Sequence, residues 1–188
     1  MINSSYEVIS LRKALSLYPE GAVSKMLSGF CCARDKDVES FLREKAVIQE
    51  KKQISRTYLI FTSGPDPKLT AYFTIAVSSM DVADLQCSKE IQKKMNVNKG
   101  LAQSYLLGQL GKHDGGPKGL GKFALEQATD RIVAANMNVG CRVIRIDCRP
   151  SLMRYYEDGG FALARRNKDD DLIQMIRIIG TQTATVSF

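Results

Sequence analysis

One segment, His113-Asp114-Gly115-Gly116-Pro117-Lys118-Gly119-Leu120-Gly121-Lys122, constrains this chain more than any other. It follows Tyr105 to Lys112, which reads as a strand. It opens the clearest helical pattern in the sequence, with Leu120, Phe123, Ala124, Ala128, Ile132 and Ala135 on one face and Gly140 as the stop. A strand that feeds a glycine turn and then a helix aims unpaired N–H groups, and the positive end of the helix dipole, at one point. Glycine lets a ligand approach the backbone there. The arrangement suits a diphosphate, and Lys118 and Lys122 bring cations beside it. The same glycines would equally serve a tight turn that holds no ligand. The segment lacks the Gly-Lys-Ser/Thr ending of a P-loop, since Phe123 follows Lys122, and it lacks the full dinucleotide fingerprint.

Around that segment the apolar period changes along the chain. The first third reads as mostly helical: Leu15 to Phe30 with a restart at Pro19-Glu20-Gly21, then a helix capped by Asp37 and carrying Val38, Phe41, Leu42, Ala46 and Ile48. The polar run Gln49 to Gln53 ends it as a solvated face. Residues 56–77 read as a hairpin about the turn Ser63-Gly64-Pro65-Asp66-Pro67. A short helix is expected over Ser88 to Met95, a strand over Arg142 to Cys148, and a helix capped by Ser151 that runs to about Asp158. Phe161 to Arg165 and Leu172 to Ile179 close the chain as a hairpin. No repeat or linker interrupts this order, so the expectation is a single α+β domain over 1–188 with a mixed, twisted sheet flanked by helices.

Composition narrows the class. The chain has 188 residues, 44% of them hydrophobic and 25% charged, which is ordinary for a folded domain and too apolar for intrinsic disorder. No apolar run reaches the ~18 residues of a membrane span, and the start lacks the basic-then-apolar order of a signal peptide. The five cysteines show no C-x-x-C spacing, so they read as reduced thiols of a cytoplasmic protein, with no metal site. The net charge of +7 favours an anionic partner such as a nucleotide or RNA without choosing between them.

Gly119-Leu120-Gly121 after a strand, followed by Tyr155-Tyr156-Glu157-Asp158-Gly159-Gly160-Phe161, resembles the GNAT acetyltransferases over about residues 56–180, the expected cofactor-binding core. In that superfamily a Gln/Arg-x-x-Gly-x-Gly/Ala loop grips the pyrophosphate of acetyl-CoA, and a later Phe-Tyr-x-x-x-Gly-Phe element carries a tyrosine beside the thioester sulfur. Further segments are similar to the branch of toxins that acetylate aminoacyl-tRNA: Asp37-Val38-Glu39-Ser40-Phe41-Leu42, Ser55-Arg56-Thr57-Tyr58 and Gly108-Gln109-Leu110-Gly111. The Gln/Arg position falls on Gly116, so a side-chain contact to phosphate is lost and Lys118 is its expected replacement.

The resemblance implies acetyl-CoA as co-substrate. The backbone at Leu110, Gly111 and Lys112 would pair with its acetyl and pantetheine groups, and the amides from Gly116 through Lys118, Gly119, Leu120, Gly121 and Lys122 would hold the pyrophosphate. Tyr156 takes the place of the tyrosine that protonates the departing thiolate, a task a phenol can perform. Tyr155 and Phe161 read as packing. The one histidine, His113, reads as a loop residue beside the phosphates rather than as a general base. Lack of an evident base favours an α-amine acceptor, whose pKa of about 8 leaves a neutral fraction at pH 7. The expected acceptor is therefore the α-amine of an aminoacyl-tRNA, with a small-molecule or protein amine, or a non-catalytic acetyl-CoA-binding module, as the alternatives. An antitoxin protein and a second copy in a homodimer are the further partners implied. The basic pairs Arg12-Lys13, Lys51-Lys52, Lys93-Lys94 and Arg165-Arg166 are the charges available for tRNA phosphates.

Overall fold

The computed structural model describes residues 6–166 and 171–180. Strand β1 (Tyr6–Ser10) leads into α1 (Leu11–Leu17) and α2 (Glu20–Ser28), and then α3 (Lys36–Ser40), a π turn (Phe41–Lys45) and α4 (Ala46–Lys51) run on as one helical stretch. The hairpin β2 (Arg56–Thr62) and β3 (Leu69–Asp81) follows as expected. After α5 (Lys89–Lys93) come β4 (Val97–Asn98), β5 (Leu101–Lys112), α6 (Leu120–Asn136), β6 (Val143–Cys148), α7 (Met153–Asp158), β7 (Ala162–Arg166) and β8 (Ile173–Ile178). The strand order is β1-β2-β3-β5-β6-β8-β7, with β4 on β5; β5 and β6 are parallel and the other described pairs antiparallel. This is the α+β class that the sequence predicted. No described helix is long and apolar enough to cross a membrane.

The chain forms two compact units, residues 1–76 with 107–131 and residues 77–106 with 132–188. The core of the first gathers Leu11, Val23, Leu27, Phe30, Leu42, Leu59 and Tyr72 under α1 to α4. That of the second gathers Met80, Cys87, Met95, Ala102, Val143, Ala164 and Ile176. In β6 the expected alternation holds: Ile144, Ile146 and Cys148 are buried, whereas Arg145 and Asp147 reach outward and pair at 2.7 Å.

Four local expectations are corrected. The first third opens with a strand, β1, which pairs along its whole length with β2; five residues are too few for periodicity to separate from a helix start. The cap of α3 is Asp35, whose carboxylate accepts from the amides of Asp37 and Val38. Ser151 lies inside a 3₁₀ turn, Pro150–Leu152, ahead of α7. The polar run after Ile48 is not wholly solvated. Glu50 is 4% exposed and accepts from Arg56 at 2.7 Å and from the Thr57 amide at 2.9 Å. A buried charge needs partners, and here β2 supplies both.

Candidate cofactor loop and tyrosine

The loop predicted to carry phosphate chemistry joins the end of β5 to α6, within the first unit. It is anchored from the N-terminal segment. The Asp114 amide donates to the Cys31 carbonyl at 2.9 Å, and the Asp114 carboxylate accepts from the Ala33 amide at 3.0 and 3.1 Å. Residues 31–33 are themselves held: Arg43 Nε donates to the Phe30 carbonyl at 2.8 Å, and the Cys32 amide donates to the Glu39 carboxylate at 2.7 Å. That bond, with Lys36 and Arg43 beside it, holds the Glu39 carboxyl below the usual glutamate range. Nothing in the sequence signals this anchor, because its two sides lie 81 residues apart.

Within the loop the glycines divide into two kinds. The Gly116 amide donates to the His113 carbonyl at 2.8 Å, and a Cβ at Gly116 would meet that carbonyl at 3.0 Å and the side chains of Leu120 and Lys112 at 3.1 Å. A side chain at Gly116 would need its neighbours to give by a few tenths of an ångström, so the closed turn favours glycine there. Gly119 instead has φ +84 with open space around it, so its backbone conformation alone calls for glycine. The helical ladder of α6 starts with the Phe123 amide on the Gly119 carbonyl. The amides of Leu120, Gly121 and Lys122 therefore have no acceptor within the helix and face the loop end.

The side chains add charge unevenly. Lys112 Nζ folds back to the Gly116 carbonyl at 3.1 Å, beneath the loop. Lys118 is exposed, and Lys122, 81% exposed, reaches no closer than 4.0 Å to Glu126. His113 Nδ1 accepts from the Gly115 amide at 3.0 Å and its ring meets Phe30 edge-on at 5.7 Å. With Nδ1 engaged as an acceptor, the neutral imidazole carries its proton on Nε2 and offers no free lone pair.

The end of β5 supplies the second part of the site. The His113 amide donates to the Thr70 carbonyl of β3 at 2.8 Å. Consecutive backbone groups of an extended strand point to opposite edges, so Leu110 and Lys112 direct their N–H and C=O groups away from β3. Among the described residues the pairing of β5 with β6 covers Tyr105 and Leu106 and none beyond. The outward groups of Leu110 and Lys112 thus lie on an edge without a strand partner. Between them Gly111 is buried for a different reason: a Cβ there would stand 2.5 Å from Val38 Cγ1 and 2.6 Å from the Tyr72 ring. Tyr72 cannot yield, since it is fully buried and donates to the Val38 carbonyl at 2.5 Å.

Tyr156 belongs to the second unit and is 4% exposed, on the last turn of α7. The glycines that follow it terminate that helix. The Phe161 amide donates to the Tyr156 carbonyl and the Gly160 amide to the Glu157 carbonyl, with Gly160 at φ +83. This is a Schellman cap, and its usual apolar contact is the Tyr156–Phe161 ring pair at 5.8 Å. The Gly-Phe part of the motif is thus a helix stop that fixes the backbone and ring of Tyr156. Tyr155 packs edge-on against Tyr156 at 4.8 Å.

No family model matches the sequence, and no curated protein matches it. Solved structures do. A tyrosine-to-phenylalanine mutant of KacT is 22% identical, with 90% of this chain and 94% of that one covered at a TM-score of 0.71. AtaT complexed with acetyl-methionyl-tRNAfMet is 20% identical, covering 90% and 93% at 0.70. AtaTR bound with acetyl-CoA is 17% identical, covering 92% and 93% at 0.64. Identities this low speak to the backbone and not to the chemistry. This chain has the fold of KacT and AtaT, which is the GNAT-like fold its loop and tyrosine motifs led us to expect.

Proposed function

We propose that the protein is an N-acetyltransferase that moves the acetyl group of acetyl-CoA to the α-amine of an aminoacyl-tRNA. The observation that carries this reading is the sequence of open backbone groups at one place: Leu110 and Lys112 on an unpartnered strand edge, then the unsatisfied first turn of α6 after Gly119. An extended amide chain ending in a diphosphate matches that order, the chain pairing as an added strand and the diphosphate lying at the helix start. Solved AtaT structures hold acetyl-CoA and an acetylated initiator tRNA, which supports both co-substrate and acceptor. Use of the Gly116 amide would require it to share or release its bond to His113.

In the reaction the new C–N bond forms at the thioester carbonyl as the C–S bond breaks. The N–H groups at Leu110 and Lys112 orient the acyl chain, Tyr156 donates its phenolic proton to the departing thiolate, and solvent takes the proton released by the amine and returns one to the Tyr156 phenolate. His113 is left as a loop-shaping residue. The cytoplasm is the compartment where acetyl-CoA and aminoacyl-tRNA meet, and five free cysteines agree with it. AtaT has also been solved with the C-terminus of its antitoxin AtaR, and we assign this chain a protein antagonist of that kind.

Three measurements test the reading. Calorimetry should show binding of acetyl-CoA, and no heat up to millimolar cofactor refutes the co-substrate. Labelled acetyl-CoA incubated with separated tRNA, protein and small-molecule fractions should mark tRNA; label in either other fraction replaces the acceptor. Tyr156→Phe should lower kcat by about 10²-fold or more with little change in cofactor affinity, the scale of a lost general acid.

A further inference from the structure

The first unit holds a groove of about 810 Å³ that shares Gly119 and Lys122 with the proposed cofactor loop and is otherwise not used by the acetyl-transfer reading. One wall is β1, the other the outward face of α6, and the lining includes Tyr6, Glu7, Val8, Phe123, Glu126 and Asp130. Its volume falls in the range of ligand-binding clefts. Its shape sets it apart from a small-molecule pocket, because one wall is the edge of a sheet. β1 is terminal in the strand order and pairs only with β2 among the described residues. Alternate residues of β1 therefore turn their N–H and C=O groups away from β2, with no strand among the described residues to receive them.

Edge strands are ordinarily guarded by proline, lysine or a bulge. Tyr6-Glu7-Val8-Ile9-Ser10 has no proline, lysine or bulge, its register with β2 is unbroken, and its guards are its five-residue length and the charge of Glu7. The floor at one end is apolar, where the Tyr6 and Phe123 rings lie 5.1 Å apart. The rim is acidic: Glu7, Glu126 and Asp130 are all exposed. The two cations present are partly committed. Arg131 lies 4.8 Å over the Tyr58 ring and donates to the Gln127 carbonyl and side-chain oxygens, while Lys122 sits opposite Glu126. An acidic rim on a chain of net charge +7 selects its occupant by sign.

We infer that the groove between β1 and α6 binds an extended, basic segment of a partner protein, which adds a strand to the edge of β1 and sets its lysine or arginine side chains against Glu7, Glu126 and Asp130. Main-chain pairing supplies the affinity and the carboxylates supply the choice of partner. The inference rests on β1 and the three carboxylates, none of which the proposed function assigns to acetyl transfer.

The probe is a fluorescein-labelled peptide of alternating lysine and valine, titrated with the whole protein and read by anisotropy. Two controls accompany it: the same peptide with glutamate for lysine, and one N-methylated at alternate amides in either register. Binding of the lysine peptide, lost in both controls and weakened by about tenfold or more in a Glu126→Lys/Asp130→Lys variant, supports the inference. Equal binding of the glutamate or N-methylated peptide to the unaltered protein overturns it, with no reliance on a variant that must fold. So does a dimer by sedimentation in which the β1 amides gain hydrogen-exchange protection, since that assigns the edge to a second copy.

Discussion

Replacing Gly160 by alanine separates backbone strain from steric crowding at the helix stop that fixes Tyr156. Gly160 has φ +83, and a Cβ there would find its nearest neighbour, Arg177 Nε, at 3.6 Å, an ordinary contact. The cost is therefore conformational. A left-handed residue with a Cβ costs about 1–2 kcal/mol, while alanine stiffens the unfolded chain and returns about 0.4–1 kcal/mol. The net loss is about 1 kcal/mol, which in a chain of this length lowers Tm by about 2–4 °C. Gly21→Ala is the internal control. Gly21 lies in α2 with no positive φ and nothing within 4 Å of its added Cβ, so the same change should raise stability by about 0.5–1 kcal/mol. Gly160→Asn, which tolerates the left-handed region, should lose less than Gly160→Ala. Calorimetric melts of the three variants decide the matter. If Gly160→Ala melts with the parent, or if Asn and Ala behave alike, the Schellman account of the tyrosine motif is wrong.

Gly111→Ala should be costlier, because its Cβ would overlap Val38 and the immobile Tyr72 ring; a loss of about 1–3 kcal/mol by urea denaturation is expected, and a neutral result refutes the packing account. Thr57 Oγ1 is buried without a hydrogen-bond partner among the described residues, so Thr57→Val should be neutral or stabilising by up to about 1 kcal/mol, and a clear loss would show that the hydroxyl is satisfied. Glu39 has its folded pKa lowered, first by the Cys32 amide and then by Lys36. Its contribution is present above the unfolded carboxyl pKa and disappears as pH falls through the folded value. The Tm difference between the parent and Glu39→Gln should thus shrink as pH falls below the ordinary glutamate pKa of about 4.3, and a pH-independent difference would remove the carboxylate from the account.

Much of this molecule is legible along the chain because its signals are local. The 56–77 hairpin follows from a Gly-Pro-Asp-Pro turn between β-branched runs, β6 from its alternation, and the cofactor loop from glycines set between a strand and an amphipathic helix. Glu50 escaped because a polar run looks the same whether solvated or reached by Arg56 and the Thr57 amide from the next strand. β1 escaped because its identity rests on pairing with β2, half a hundred residues away in sequence.

What the sequence by itself determined is the class of fold, the position of the loop and the tyrosine, and the sign of the protein's charge, since each depends on residue type and short-range spacing. Tertiary structure decided why each glycine is there. Gly116 is closed in by His113, Leu120 and Lys112, Gly111 lies against Tyr72, and Gly160 turns left-handed to stop α7. Only the folded chain also shows that Cys31 and Ala33 hold the loop through Asp114, and that β1 meets α6 across an acidic groove. The contacts at Gly116 and the turn at Gly160 are local but depend on the backbone path, whereas the contacts of Gly111, of Asp114 and of β1 join residues distant in sequence, and spacing along the chain carries no trace of them.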